Sequence, residues 1–546
     1  MTDRILTIGI DGGEMSLIDK WMENGELPNL KSIKENGATG PLRSTIPPIT
    51  GAAWSSFQTG TNPGKHGAFN WFKRSEGEYN AEPVTALDIK EPTLWKVLNT
   101  FKKKVGLIGV PVTTPPEKVE NFMIPGLLTT KNARVQSYPE DLIDHVKEIA
   151  PNFKFSPKEW TRGYDVKDWI MEMEQDIKEK TELTKQLMIE KDWQFFMVHF
   201  MESDQVQHYL WHELDGEERY IFRIYKAIDD AIGELREFLD EDDTLFVMSD
   251  HGFGELKYNF HIDTWLLNEG YIELKKNFIT QFKKIFFKLG LTKEALLPIG
   301  EYIYPPLRKL GLVETAVDLA SNPFLEWLFI SSTNVNWKKS LAYTHSEIGH
   351  VFLNVKDRDP EGVIEKENYE QIRDEIIEKL KAFENPFTGK KIVTEVYKGE
   401  EIYHGNMSSN APDIVFIPDD MSVLGKGAYQ FLSNKNISKT QNQTGHHRMD
   451  GIFFAEGPEI NKNSVVKGAH IMDLAPTILY LLDLPILDSM DGKVLDEILD
   501  EDFVEKTEKL YVSKSDIGLE KNLRENLFKN DIDDKKDRLK GLGYVS

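Results

Sequence analysis

An α/β fold, with a mostly parallel central sheet covered by helices on both faces, is what the sequence predicts. Three observations carry that expectation. Short apolar runs of strand length recur along the chain. Charged, amphipathic stretches of helical period separate them. Carboxylate or imidazole residues stand just beyond the ends of several of the runs.

The elements follow in order. Ile5–Ile10 (ILTIGI) reads as a buried strand, as do residues 105–112 (VGLIGVPV). Phe195–Phe200 (FFMVHF), Thr244–Met248 (TLFVM) and residues 451–455 (GIFFA) take the same form. Residues 167–191 and 217–239 supply two of the intervening helices. Residues 271–339 break the rhythm. They are helical in pattern, rich in Phe, Leu and Lys, and carry Pro298, Pro305 and Pro306, so they read as an insertion or cap. Within them FITQFKKIFFKLG is basic and amphipathic. A membrane-surface or partner helix is one reading of it, and a cap helix packed on the main domain is the favoured one. Residues 1–270 and 340–500 together form the expected catalytic domain, and residues 501–546 a charged peripheral segment.

Composition narrows the function. The chain of 546 residues is 40% hydrophobic and 29% charged, long enough for a sizeable core. Its net charge of −24 argues against a nucleic-acid polymer as partner. With no cysteine, any metal site is built from His and carboxylate. The apolar run at residues 5–10 is too short for a signal-peptide core, and no run of 18 apolar residues exists, so no membrane span is expected. The default expectation for location is the cytoplasm.

The chemistry-bearing residues gather at strand ends. Asp11 directly follows the first strand. Asp204 follows the third after a short turn, and His208 stands four residues on, the spacing that puts both on one helix face. Asp250 and His251 follow residues 244–248, and Gly252 and Gly254 allow the bend both need to reach inward. Taken singly, each has a plain alternative as a cap or a surface residue; their joint placement points to a metal site. Thr50 lies in PPITGAAWSSFQTGTNPGKHG. Pro47 and Pro48 disfavour helix up to Ile49, and residues 52–58 can be helical, which sets Thr50 at or near a helix N-terminus suited to an anion. Its plain alternative is a helix cap.

Together these segments resemble the alkaline phosphatase superfamily, and within it the type I phosphodiesterase/nucleotide pyrophosphatase branch. The resemblance runs in family order from IGIDGGEMSLIDKWMENGELPNLKSIKENG and STIPPITGAAWSSFQTGTNPGKHGAFNWF, through VGLIGVPVTTPP, HFMESDQVQH and FVMSDHGFGE, to TGHHRMDGIFFAEGP and DLAPTILYLLDLP. It implies an alkaline phosphatase-like sheet and two divalent metal ions. One ion would be held by Asp11, Thr50, Asp250 and His251, the other by Asp204, His208 and a late histidine. The family form, Gly, one residue, then His-Arg, selects His447 over His446 in GHHR. The ligand set suits Zn²⁺ and is compatible with Mn²⁺ or Fe²⁺. The implied activity is two-metal hydrolysis of a small phosphate ester through a covalent phosphothreonine at Thr50. A phosphomonoesterase, phosphonate hydrolase or phosphotransferase on the same site is the alternative, and a binding protein that keeps the fold without activity is another. Animal-type nucleotide pyrophosphatases carry an Asn shortly after the nucleophile, where this chain has Ala53 and Trp54. A Thr nucleophile and the lack of cysteine disfavour a sulfatase.

Overall fold

A computed structural model describes residues 2–296, 328–428 and 431–519, apart from residues 76, 130–132, 134, 159, 161–163 and 346. Residues 297–327 of the expected cap and 520–546 of the expected peripheral segment lie outside the described residues.

The predicted strands form as β1 (Ile5–Ile10), β3 (Val105–Ile108), β5 (Phe195–Phe200) and β6 (Thr244–Met248), with β3 ending four residues early, and two strands the sequence reading did not predict, β2 (Ala38–Arg43) and β4 (Asn121–Ile124), join them. β7 (Gly252–Glu255) pairs with the later β8 (Gly445–Arg448) as a two-stranded antiparallel ladder, and β9 (Asp450–Glu456) and β10 (Ser464–Val465) return to the main sheet. That sheet has nine strands among the described residues, and its path runs β10-β2-β9-β6-β1-β5-β3-β4. β1 pairs in parallel with both β5 and β6, β3 with β5 and β4. β9 runs against β2 and β6.

The period of two along each strand divides the interior into two cores. Leu6, Ile8, Phe196, Val198, Leu245 and Val247 face one, where α2 (Val166–Glu190), α3 (Glu202–Leu210) and α4 (Tyr220–Arg236) pack. Ile5, Phe195, Met197 and Phe246 face the other, covered by α1 (Thr50–Thr59) and a helix at Leu474–Leu481. The architecture is the α/β fold expected.

A third core, from Phe260 to Ile437, lies beneath a four-stranded antiparallel sheet and a three-stranded sheet, and it reaches to both sides of residues 271–339. The helix at Phe278–Lys288 buries Thr280, Lys283 and Phe287, and leaves Phe278, Ile279, Phe282 and Ile285 exposed. Its apolar stripe thus faces outward. After residue 500, a short helix at Glu501–Lys506 leads to Tyr511–Val512, which pairs with Ile486–Leu487. No helix among the described residues is long and apolar enough to cross a membrane.

Candidate metal centre

Strand order brings the acidic residues together. β6, β1 and β5 are neighbours, with Gly9 opposite Met248 and Ile10 opposite Phe200. The chain therefore delivers Asp250, Asp11 and Asp204 to one edge, the carboxyl ends where open α/β sheets hold their sites. α3 starts just past β5, and its turn aligns His208 with Asp204, His208 Nε2 lying 3.3 Å from Asp204 Oδ1. His447 arrives from the far end of the chain through the β7–β8 ladder, where it sits opposite Phe253. Its Nε2 lies 3.4 Å from Asp204 Oδ1 and 3.2 Å from His208 Nε2.

Thr50 opens α1. Ile49 holds the extended cap position and no side chain caps the helix, so Thr50 is the first helical residue rather than the cap that the plain reading of the sequence made it. The first helical bond runs from Ala53 N–H to the Ile49 carbonyl, so the N–H groups of Thr50, Gly51 and Ala52 lie at the open, positive end of the helix. Thr50 Oγ1 is 3.1 Å from His251 Nε2. That nitrogen is also 3.3 Å from Asp250 Oδ2 and 3.6 Å from Asp11 Oδ1. The His251 and His447 rings stack with centroids 3.6 Å apart, so the two groups of side chains adjoin.

Each imidazole of the two groups is anchored the same way. The Nδ1–H of His208 donates to the Gly445 carbonyl at 3.1 Å, that of His251 to Gly252 at 3.0 Å, and that of His447 to Pro48 at 2.8 Å. Carbonyls only accept, so Nδ1 carries the hydrogen and the Nε2 lone pair points among the carboxylates, the arrangement of metal-binding histidines. Two of the carboxylates are half-held. Asp250 Oδ1 accepts from Gly12 N–H at 3.3 Å; Asp11 Oδ2 accepts from Trp54 Nε1–H at 3.2 Å and lies 2.9 Å from His199 Nε2. Asp11 Oδ1 and Asp250 Oδ2 have no hydrogen-bond partner among the described residues.

All seven predicted residues are buried within a short reach of one another. Burial, then the nearby Asp250 and Asp204 charges, pushes the Asp11 carboxyl well above its usual range; burial and Asp204 do the same to Asp250. Burial works the same way on Asp204, but His208 and His447 outweigh it and hold that carboxyl well below its usual range. Carboxylates this close and this dry repel each other, and a cation between them removes the penalty. The unheld oxygens and the three Nε2 lone pairs fit divalent ions, and groups within 4.8 Å form around Asp11, Asp250 and His251 and around Asp204, His251 and His447.

His446 lies in this region too. One of its nitrogens comes within 4.8 Å of a nitrogen of His208 and one of His447, it is 97% buried, and neither ring nitrogen has a hydrogen-bond partner among the described residues. Burial, then the neighbouring histidines, Arg448 and Lys426, pushes its pKa well below the usual histidine range. Two further residues were missed from sequence. Trp54 donates to Asp11, His199 packs against the same carboxylate with its Nδ1–H on the Gly109 carbonyl at 3.2 Å, and the two rings meet edge to face at 4.8 Å. The available signals were a histidine inside an otherwise apolar strand and a tryptophan four residues after Thr50.

A profile of the type I phosphodiesterase / nucleotide pyrophosphatase family matches residues 5–450. No curated protein sequence matches the chain. Among solved structures, phosphonoacetate hydrolase from Sinorhizobium meliloti 1021 in complex with phosphonoformate is similar in fold, at 15% identity and a TM-score of 0.52, over 88% of this chain and 95% of that one. Human ectonucleotide pyrophosphatase / phosphodiesterase 5 aligns at 12% identity and a TM-score of 0.47, over 91% of this chain and 100% of its own.

Proposed function

The chain belongs to the type I phosphodiesterase / nucleotide pyrophosphatase family, an enzyme family of phosphoester hydrolases, and from that premise we propose that it hydrolyses small phosphate esters with Thr50 as nucleophile and two divalent ions at the centre. One observation carries the reading: Thr50 Oγ1, at the open end of a helix, shares His251 Nε2 with two carboxylate oxygens that have no hydrogen-bond partner among the described residues.

Asp11, Thr50, Asp250 and His251 would hold one ion, and Asp204, His208 and His447 the other. Zn²⁺ suits this nitrogen and oxygen set, and Mn²⁺ or Fe²⁺ are compatible with it. When bound, the ions supply the positive charge that favours the alkoxide form of a serine or threonine and neutralises phosphoryl oxygens. The protein does the rest. The N–H groups at the start of α1 face an incoming phosphoryl group and orient it against Thr50. Thr50 gives up its hydroxyl proton to solvent, a bond forms from its Oγ to phosphorus while the ester P–O bond breaks, and the departing alkoxide takes a proton from solvent. Water then cleaves the phosphothreonine, restoring the Thr50 hydroxyl and releasing the phosphorylated product.

The test is a panel of aryl phosphate monoesters and diesters assayed with added Zn²⁺ and Mn²⁺. Turnover of at least one ester, abolished by a chelator and restored by metal, is the expected result. A fully metal-loaded protein that turned over no ester would overturn the proposal.

A further inference from the structure

We propose that His446 is a substrate-contacting residue that donates a hydrogen bond to a phosphoryl oxygen of the bound phosphate ester. The proposal rests on the site reading above and extends it to a residue outside the two ligand groups.

Four observations lead there. The first is position. Neighbouring residues of a strand ordinarily face opposite sides, yet the His446 and His447 rings stack 4.6 Å apart at 24°, which keeps both on the side of the centre. The second is proximity. A His446 nitrogen lies within 4.8 Å of one nitrogen of His208 and one of His447, so an anion seated over that pair comes within hydrogen-bonding range of it. The third is the contrast in anchoring. His208, His251 and His447 each have Nδ1–H fixed on a backbone carbonyl, and this is how metal-binding imidazoles are held. His446 has neither nitrogen fixed, which sets it apart from the ligands.

The fourth is cost. A buried imidazole with no partner for its N–H carries the full desolvation penalty of that group, and a partner that arrives with the substrate removes it. Trp54 does not serve here, since its N–H is committed to Asp11. His446, on β8, keeps its N–H without a partner among the described residues and takes the role of phosphoryl-oxygen donor.

The experiment compares the metal-loaded wild type with His446→Ala and His446→Gln. It reads three quantities: ion content and affinity by chelator competition, calorimetric binding of inorganic phosphate, and kcat and KM for bis(p-nitrophenyl) phosphate and p-nitrophenyl phosphate. The expected result for His446→Ala is two ions held with unchanged affinity and phosphate binding weakened about 10- to 100-fold, the loss expected for one hydrogen bond to a charged group. Turnover of the esters falls in the same variant, and His446→Gln, which keeps an N–H donor, recovers most of both. Loss of an ion in His446→Ala would overturn the proposal by making His446 a ligand. Unchanged phosphate affinity in a folded, metal-loaded His446→Ala protein would overturn it as well. Failure of the underlying site reading shows separately, as a His447→Ala protein that keeps both ions.

Discussion

Trp54 Nε1 donates to Asp11 Oδ2 over 3.2 Å, from a ring packed so closely on β1 that a Cβ at Gly9 would sit 2.7 Å from its Cη2. The bond fixes one carboxylate oxygen and leaves the other, Oδ1, to face the centre. Replacing Trp54 by Phe keeps most of the packing and removes the donor. The expected outcome is a folded protein in which the ion assigned to Asp11, Thr50, Asp250 and His251 is held about 10- to 100-fold more weakly, the usual effect of removing a partner of a ligand. Competition with a chromogenic chelator reads it. An unchanged affinity would remove Trp54 from this role.

Most of the site was legible because it lies where strands end. Asp11, Asp204 and Asp250 each follow an apolar run, so recognising the run locates the residue. The Asp204 and His208 pair needed only the helical period. His447 was legible only through resemblance. Its approach depends on the pairing of β8 with β7, some 190 residues earlier in the chain, and no local pattern encodes that pairing. Trp54 and His199 were hidden for a related reason: a helix residue and a strand residue meet over Asp11 only after α1 packs on the sheet. The smaller sheets around residues 342–426 also escaped notice. Their strands are short and their partners distant, so length and period carry little signal.

The second prediction concerns the ions. The two adjoining ligand groups lead to two transition-metal ions per chain, measurable by elemental analysis of the purified protein. His447→Ala removes an imidazole that approaches both Asp204 and His208, so it should cost one ion and most of the turnover. Asp250→Ala should cost the other ion, because it removes one of the two unheld oxygens. A metal-free protein with full turnover would sink the assignment.

The third concerns pH and a histidine away from the ligands. His66 is fully buried; it accepts from Ala68 N–H at Nδ1 (3.1 Å), so its Nε2–H donates to Ser56 Oγ in α1 (2.9 Å). Burial pushes its pKa down to about 3. The unfolded chain therefore takes up a proton near pH 6.5 that the folded chain refuses. The stability contributed by neutral His66 is complete above about 6.5 and is lost as the pH falls toward 3. The buried carboxylates Asp11 and Asp250, raised in the folded state, act with the opposite sign, so the comparison is made between variants. In metal-free protein, His66→Gln should flatten the dependence of unfolding free energy on pH between about 6 and 4 by ~1.4 kcal/mol per pH unit. Urea melts at several pH values measure it, and parallel slopes for the two proteins would contradict the argument.

The last concerns Thr50. Its hydroxyl is buried, lies 3.1 Å from His251 Nε2, and stands at the first position of α1 with the open N–H groups of the helix beside it. A purely structural role would make Thr50→Ala cost about 1 kcal/mol for the lost hydrogen bond and leave much of the chemistry in place. The nucleophile role makes a different set of outcomes. Thr50→Ala folds and still takes up metal, but turnover falls by several orders of magnitude, because no residual step can form the covalent intermediate. Thr50→Ser keeps a hydroxyl at the same backbone position and retains substantial turnover. Acid quenching of wild-type protein during turnover should trap phosphate on the peptide containing Thr50, detected by mass spectrometry, and the same peptide from Thr50→Ala should carry none. Near-normal turnover in a folded, metal-loaded Thr50→Ala protein would refute the mechanism, since the centre would then be attacking phosphorus without the one oxygen the fold aims at it.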